Sequence, residues 1–182
     1  MKLAALIWFW FCACALGAIT NADQAIERAN VLTRWNTMSG APRASLVRWP
    51  GTRVWRVSYP KGILVFLEKD SGRLLLVTTS REPANVPPPR DYPDHDPKID
   101  LLTALERIGR KAPEMDAEYV MNSGSDSKAR PVWMIWLRGL PPFPAHGPAG
   151  DSVPVSERNH LRFAVDANTG QVLYWTTVAK FQ

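Results

Sequence analysis

The stretch VFLEKDSGRLLLVTT at residues 65–79 aligns without a gap on FAVDANTGQVLYWTT at residues 163–177. In both copies an apolar run meets an acidic residue, Glu68 or Asp166, and a second β-favouring run ends in Thr-Thr. Between the runs lie Asp or Asn, a hydroxyl residue and Gly, which is the composition of a tight turn. The two stretches therefore predict one β-hairpin twice, and a repeat of this kind constrains the architecture of the whole chain.

The residues of the two turns have different expected roles. Gly72 and Gly170 are predicted to supply the positive φ that closes a short turn. Asp70 and Asn168 tolerate the left-handed conformation and can bond their own backbone. The carboxylate of Asp166 is expected to cap backbone donors of its turn, because a calcium ion would need six or more oxygen ligands.

The N-terminus has the sequence of an export signal. Met1-Lys2 precedes an apolar run from Leu3 to Ile19, and small residues follow as far as Ala22. We predict a signal peptide over residues 1–22 that is removed after about Ala22. An uncleaved anchor is the alternative, since the run approaches the shortest length that spans a bilayer; lipidation at Cys14 is a third. The protein is thus predicted to be secreted or extracytoplasmic, with membrane contact only through this segment.

Charge and cysteine content exclude several classes of function. Cys12 and Cys14 both lie in the predicted leader, so the exported chain would have neither a disulfide nor a cysteine metal site. The formal net charge of +5 is mild. It favours weak attraction to anionic surfaces, and no basic cluster with interleaved aromatic residues supports nucleic acid as a partner.

The exported chain divides into two units and a linker. Residues 23–80 are predicted to form a helix that starts at Asp23, followed by about four short strands. The Pro-rich residues 81–97 are predicted to be a stiff spacer. Residues 98–182 repeat the pattern, with a helix that starts at Lys98 or Asp100 and an inserted loop at 139–159. The apolar stripes of the two helices are Ile26, Ala29, Leu32 and Trp35 in the first and Leu102, Leu105 and Ile108 in the second.

This order predicts an α+β fold of two helix-plus-antiparallel-sheet repeats, each helix packed on one face of its own sheet. Several strands are apolar on both faces, so either the units pack together or an open face receives a partner. Trp133 and Trp136 lie on opposite faces of one predicted strand, and they cannot both enter the helix-covered core. One of them is therefore the candidate partner contact, with the loop at 139–159 as its rim.

The second unit, and above all its closing run from Phe163 to Leu173, resembles the PepSY domain, an extracytoplasmic α+β module. That module occurs in propeptides of thermolysin-type metallopeptidases and in stand-alone secreted or membrane proteins of bacteria. The first unit is a degenerate copy, with Glu68 in the place of Asp166. The resemblance implies a non-catalytic protein that binds, inhibits or chaperones a peptidase or acts in regulation at the cell surface, and it offers no catalytic residues to carry over.

The residues themselves offer no catalytic constellation. His95, His146 and His160 are scattered, and Asp94-His95-Asp96 is expected to be a solvated part of the linker rather than a metal site. No nucleophile elbow, phosphate loop or dinucleotide fingerprint occurs in the sequence. We therefore predict no catalytic, metal or cofactor residues and a protein partner, of which a secreted peptidase is one class. The alternative is a cell-surface structural or sensory module that binds cell-wall polymer or peptide.

Overall fold

The computed structural model of the chain describes residues 17–35, 41–49, 51–79, 91–122, 129–140, 145–146, 152–153 and 160–178. The helices and strands in chain order are α1 (Ala22–Thr33), β1 (Arg43–Trp49), β2 (Thr52–Tyr59), β3 (Ile63–Glu68), β4 (Leu74–Thr78), α2 (Leu101–Ile108), β5 (Glu114–Asn122), β6 (Arg130–Arg138), β7 (Ala145–His146), β8 (Ser152–Val153), β9 (His160–Asp166) and β10 (Val172–Val178).

Eight of the strands form one continuous antiparallel sheet in the order β1-β2-β3-β4-β5-β6-β9-β10, while β7 and β8 pair with each other. The two halves of the chain meet where β4 pairs with β5, at Val77–Ala117 and Thr78–Asp116. The prediction of two helix-plus-sheet repeats is therefore wrong. Without this pairing β4 and β5 would each leave a row of backbone N–H and C=O groups unsatisfied, and joining them into one sheet removes both edges.

The two short helices contribute to a single core. One apolar cluster holds Ala29 and Leu32 of α1, Leu101 and Ala104 of α2, and strand side chains from both halves. Trp55, Val57 and Tyr59 alternate along β2 on one face, and all three belong to this cluster. Neither helix closes a core of its own, so the sheet and both helices form one packed body.

No helix in the described ranges is long and apolar enough to cross a membrane.

The helix ends follow capping chemistry. Helix α1 starts at Ala22 rather than Asp23, because the Asn21 side chain accepts a hydrogen bond of 2.9 Å from the Gln24 backbone N–H. It ends at Thr33, two residues before Trp35, the last residue of its predicted apolar stripe. Helix α2 has Asp100 as its N-cap, one of the two predicted starts.

The segment before α1 belongs to the folded part of the chain. The Ile19 side chain is only 4 % exposed, and its backbone N–H donates to the Lys69 carbonyl at 2.7 Å. The Ile19 carbonyl accepts from the Trp55 indole N–H at 3.1 Å. The folded part therefore begins before the predicted unit boundary at residue 23.

A second segment makes the same contacts in the other half of the chain. The Ile99 backbone N–H donates to the Ala167 carbonyl at 3.0 Å, and its carbonyl accepts from the Trp133 indole N–H at 2.8 Å. We call this arrangement, in which an indole N–H donates to the backbone carbonyl of an isoleucine shortly before a helix, the tryptophan clasp. The local hydrogen bonding is thus repeated in both halves of the chain, although the two halves share one sheet.

The predicted linker is bound to the fold where it is described. Residues 81–90 lie outside the described part, but the Asp91 carbonyl accepts from the Met121 N–H at 2.9 Å. Asp96 forms a two-pronged ion pair with Arg28 of α1, at 2.5 Å for each N–O contact. Of the inserted loop at 139–159, residues 141–144, 147–151 and 154–159 also lie outside the described part.

Candidate binding site

A cleft of about 510 Å³ lies beside α2 on the side of the sheet that carries the helices. Its volume falls in the range of natural ligand sites, roughly 300–1,000 Å³, and such sites combine apolar walls with a few polar groups. The cleft matches this description. Its apolar walls are Trp35, Leu102, Leu105, Ala112, Met115 and Leu137, and its other residues are Thr79, Glu106, Gly109, Arg110 and Lys111.

Helix α2 has a wider apolar surface than the core uses. Leu101 and Ala104 are fully buried, whereas Leu102 and Leu105 are half-buried and line the cleft. The face of α2 that enters the core is therefore shifted by one residue from the predicted stripe of Leu102, Leu105 and Ile108. Leu101 and Ala104 make the deepest core contacts. Leu105 and Ile108 still touch the core cluster, but Leu102 does not. Leu102 therefore serves the cleft and not the core.

The end of α1 forms the opposite wall. Arg34 caps the helix in the left-handed conformation, with φ of 55°, where glycine is the usual residue. Its guanidinium lies 3.6 Å from carboxylate oxygens of both Asp100 and Glu106, at the start and within the last turns of α2. These contacts hold α1 against α2 and place Trp35, the next residue, in the cleft wall with 8 % of its surface exposed.

Two hydrogen bonds extend the β4–β5 ladder by one residue pair, and both residues of that pair line the cleft. The Thr79 N–H donates to the Met115 carbonyl at 2.9 Å, and the Met115 N–H donates to the Thr79 hydroxyl at 2.7 Å. Glu106, Arg110 and Lys111 are exposed and give the rim charges of both signs. An apolar interior with a mixed-charge rim suits a peptide segment, whose side chains are apolar and whose backbone is polar.

The two candidate tryptophans lie on opposite faces of β6, as predicted. Trp133 is fully buried in the core, with its ring 5.4 Å from the Tyr119 ring, and its indole N–H is used in the tryptophan clasp. Burial removes Trp133 as a partner contact. Trp136 is half-buried on the face without helices, where it packs beside Val132, Met134 and Ala164.

In the two predicted turns, the glycines adopt the positive φ, and the Asp and Asn residues before them do not. Gly72 and Gly170 have φ of +67° and +77°, whereas neither Asp70 nor Asn168 has a positive φ. The Asp166 carboxylate accepts the N–H groups of Asn168 and Thr169, each at 2.9 Å. In the other turn Glu68 accepts from the Ser71 hydroxyl, and the Asp70 side chain is 79 % exposed. Asp166 therefore acts as a structural cap, and Asp70 makes no comparable contribution.

Polar side chains interrupt the face without helices at the junction of the two halves. Asp116 of β5 is buried, accepts a hydrogen bond of 2.6 Å from the Thr78 hydroxyl, and pairs with Arg138. Glu118 lies on the same face two residues on and is half-buried. Burial, together with the smaller effect of the nearby Asp116 charge, raises the pKa of Glu118 from 4.5 to about 7.

Glu118→Gln should stabilise the protein at alkaline pH and leave it unchanged at acid pH. In the unfolded chain Glu118 ionises near pH 4.5, but in the folded protein it stays protonated until about pH 7. The folded state therefore loses stability relative to the unfolded state as the pH rises through this window. Because the site is half-exposed, we expect a gain of only about 1 kcal/mol above pH 7. Thermal melts from pH 4 to 9 would measure it, with the exposed-site variant Glu27→Gln as the control; equal gains at pH 4 and pH 9 would contradict the assignment.

The Asp94-His95-Asp96 group is divided between two environments rather than solvated as a whole. Asp94 is exposed and bonds the His95 ring at 2.7 Å, which lowers the pKa of Asp94. Asp96 instead forms the ion pair with Arg28 described above. Within the described ranges no group of three or more His, Cys, Asp or Glu residues could hold a metal ion.

No protein-family model, curated protein or solved structure matches this chain. The site therefore has to be interpreted from its own residues. Sequence reasoning missed Arg28 and Arg34, whose roles depend on carboxylates far along the chain. It also assigned the cleft leucines to the core, since an amphipathic period does not distinguish a core from an open groove.

Proposed function

We propose that this chain is an extracytoplasmic binding protein without catalytic activity, and that its cleft holds an apolar segment of a partner polypeptide. The observation that carries the proposal is the cleft itself, with Leu102 directed to it and absent from the core cluster. Exposed apolar surface costs stability in water, so a leucine that serves no core contact favours a ligand.

The class of partner is a peptidase. This part of the proposal is supported by the resemblance of the Phe163–Leu173 hairpin to the PepSY domain, whose members bind peptidases. The apolar N-terminal segment supports placement outside the cytoplasm. A peptidase or a propeptide-like segment offers extended chain with apolar side chains, and the charged rim of the cleft can pair with the polar groups of such a chain.

The test is a site-specific cross-link from the cleft. Benzoylphenylalanine at position 102, in protein made in an exporting host, should form an adduct with a polypeptide under irradiation. The same probe at position 31 should not, because Val31 is exposed on α1 outside the cleft. Mass spectrometry of the adduct identifies the partner, and the purified partner is then tested for peptidase activity. An adduct with lipid, or equal labelling from both positions, would contradict the proposal.

Leu102→Glu should weaken capture of that purified partner by tenfold or more, since it places a charge in the apolar interior. The fold should not suffer, because a carboxylate in the first turn of α2 interacts favourably with the helix dipole. Val31→Glu is the matched control, an apolar-to-Glu change on the other helix at a site that is 56 % exposed. Calorimetric titration measures both affinities. Similar affinities for the two variants would exclude the cleft as the binding site.

A further inference from the structure

The hairpin of β1 and β2 carries an unbalanced positive charge. Between residues 41 and 67 the sequence has five basic residues and no acidic residue. Four of them, Arg43, Arg48, Arg53 and Arg56, lie on β1 and β2 and are exposed. We call these four arginines the basic hairpin. None of them forms an ion pair with a carboxylate in the described part of the chain.

The register of the hairpin places like charges together. Arg48 is directly opposite Arg53 across the two strands. Two like charges in that position destabilise a sheet. A single charge on an edge strand is enough to discourage aggregation, so edge protection alone does not account for an opposed pair. An anionic ligand would convert the repulsion into an attraction.

The basic hairpin forms one rim of the molecule, because β1 is an edge strand of the sheet. Arg43 and Arg56 lie on one face of the hairpin, opposite Ser58 and Ser45, while Arg48 and Arg53 lie on the other. Long arginine side chains from both faces can extend past the edge toward one flat surface. Leu46, which is 41 % exposed, lies on the same face as Arg48.

The N-terminal end of the described chain lies next to this rim. Ile19 bonds the Lys69 carbonyl, and the Lys69 N–H donates to the Arg53 carbonyl at 3.0 Å. The residues before Gly17 include the apolar run with Trp8 and Phe11. The described chain thus begins beside Arg53 and Lys69, so the apolar run of the sequence joins the fold on a side that carries basic residues.

We infer that the basic hairpin binds the phosphate headgroups of an anionic phospholipid bilayer, edge-on to the sheet. Juxtamembrane basic residues gain affinity for anionic lipid with each added charge. A single-stranded nucleic acid would use exposed aromatic rings for stacking. The aromatic residues of β1 and β2 are instead withdrawn from solvent: Trp55 and Tyr59 are buried, and Trp49 is half-buried with its ring 5.0 Å from that of Phe66. The inference is independent of the cleft.

The test uses the chain from Gly17 to Gln182, which keeps every described residue and omits residues 1–16 of the apolar N-terminus. It is sedimented with vesicles of equal parts phosphatidylglycerol and phosphatidylcholine, and with phosphatidylcholine alone. We expect binding to the anionic vesicles only, and release by high salt. Arg48→Gln with Arg53→Gln should reduce that binding roughly 30-fold. The charge-matched control, Lys98→Gln with Arg107→Gln, alters exposed residues away from the hairpin and should retain it.

Folding is monitored in parallel. Removal of the opposed charges should leave the thermal midpoint of the double variant unchanged or higher, which separates lost binding from lost structure. If the glutamine variant melts early, Arg48→Lys with Arg53→Lys keeps the charge and should bind as the parent does. Equal loss in the hairpin and control variants would overturn the inference. So would binding to soluble polyphosphate with none to anionic vesicles.

Discussion

A chain that begins at Asp23 is expected to lose about 4 kcal/mol of stability relative to one that begins at Gly17. Burial of an isoleucine such as Ile19 contributes about 1.5–3 kcal/mol, and the helix cap of Asn21 contributes about 1 kcal/mol. Loss of the Ile19 carbonyl also leaves the Trp55 indole N–H without its partner in the core, at a further cost of about 1 kcal/mol. Chemical denaturation of the two chains measures the difference.

The same contacts limit where a leader could be removed without a loss of stability. Cleavage after Ala22 would remove residues that the fold requires, whereas cleavage before Ile19 would leave them in place. Intact mass of the protein recovered from an exporting host gives the new N-terminus directly. Equal stability of the two chains, or a folded exported product that begins at Asp23, would show that the Ile19 contacts are dispensable.

Gly170→Val is expected to cost about 3 kcal/mol, for two separable reasons. A side chain at a φ of +77° is strained by about 1–2 kcal/mol. A Cβ atom at this position would also lie 2.8 Å from the Ile99 side chain and 3.5 Å from the Arg107 guanidinium. Overpacking of that kind adds about 1–3 kcal/mol. Gly72→Val should act likewise, because its Cβ would lie 3.0 Å from the Gly17 carbonyl oxygen.

Gly62→Val separates the two contributions. Gly62 has a φ of +84°, and a Cβ atom there would have no neighbour within 4 Å. This variant therefore reports the backbone strain alone, about 1–2 kcal/mol. Denaturant midpoints of the three variants give the comparison. If Gly62→Val and Gly170→Val were equally unstable, the packing of the hairpin turn against Ile99 would contribute nothing.

The parts of the fold that depend on short-range patterns could be predicted from the sequence. The hairpin turns, the strand faces of β2 and β6, and the Asp100 cap all follow from residues within a few positions of one another. The pairing of β4 with β5 could not be predicted, because nothing in the sequence of a strand identifies a partner strand that lies far along the chain. Ile19 was assigned to the leader for a similar reason: it continues an apolar run, and its burial depends on Lys69 and Trp55.

The candidate sites show the same limit. Leu102 and Leu105 are residues that a core or a cleft would use equally, so their stripe alone predicts burial. Glu118 alternates with apolar residues and resembles a solvated position until the neighbouring strands are placed. The opposition of Arg48 and Arg53 could have been predicted, since the two residues flank the Pro50-Gly51 turn at similar distances. The sequence interpretation counted the overall charge and overlooked this local register.

The junction of β4 and β5 has a consequence for the order of folding during synthesis. Strands β1 to β4 each pair with their neighbours in the chain, through ladders that are complete before β5 is made. Such local pairings close quickly, while the pairing of Val77 with Ala117 must wait for α2 and β5 to leave the ribosome. During that interval β4 presents an open edge, to which β5 of the same chain, or of a neighbouring chain on the same messenger, can add. Slow elongation between residues 80 and 114 would therefore favour pairing of β4 with β5 of a neighbouring nascent chain, and rapid elongation would favour pairing within one chain.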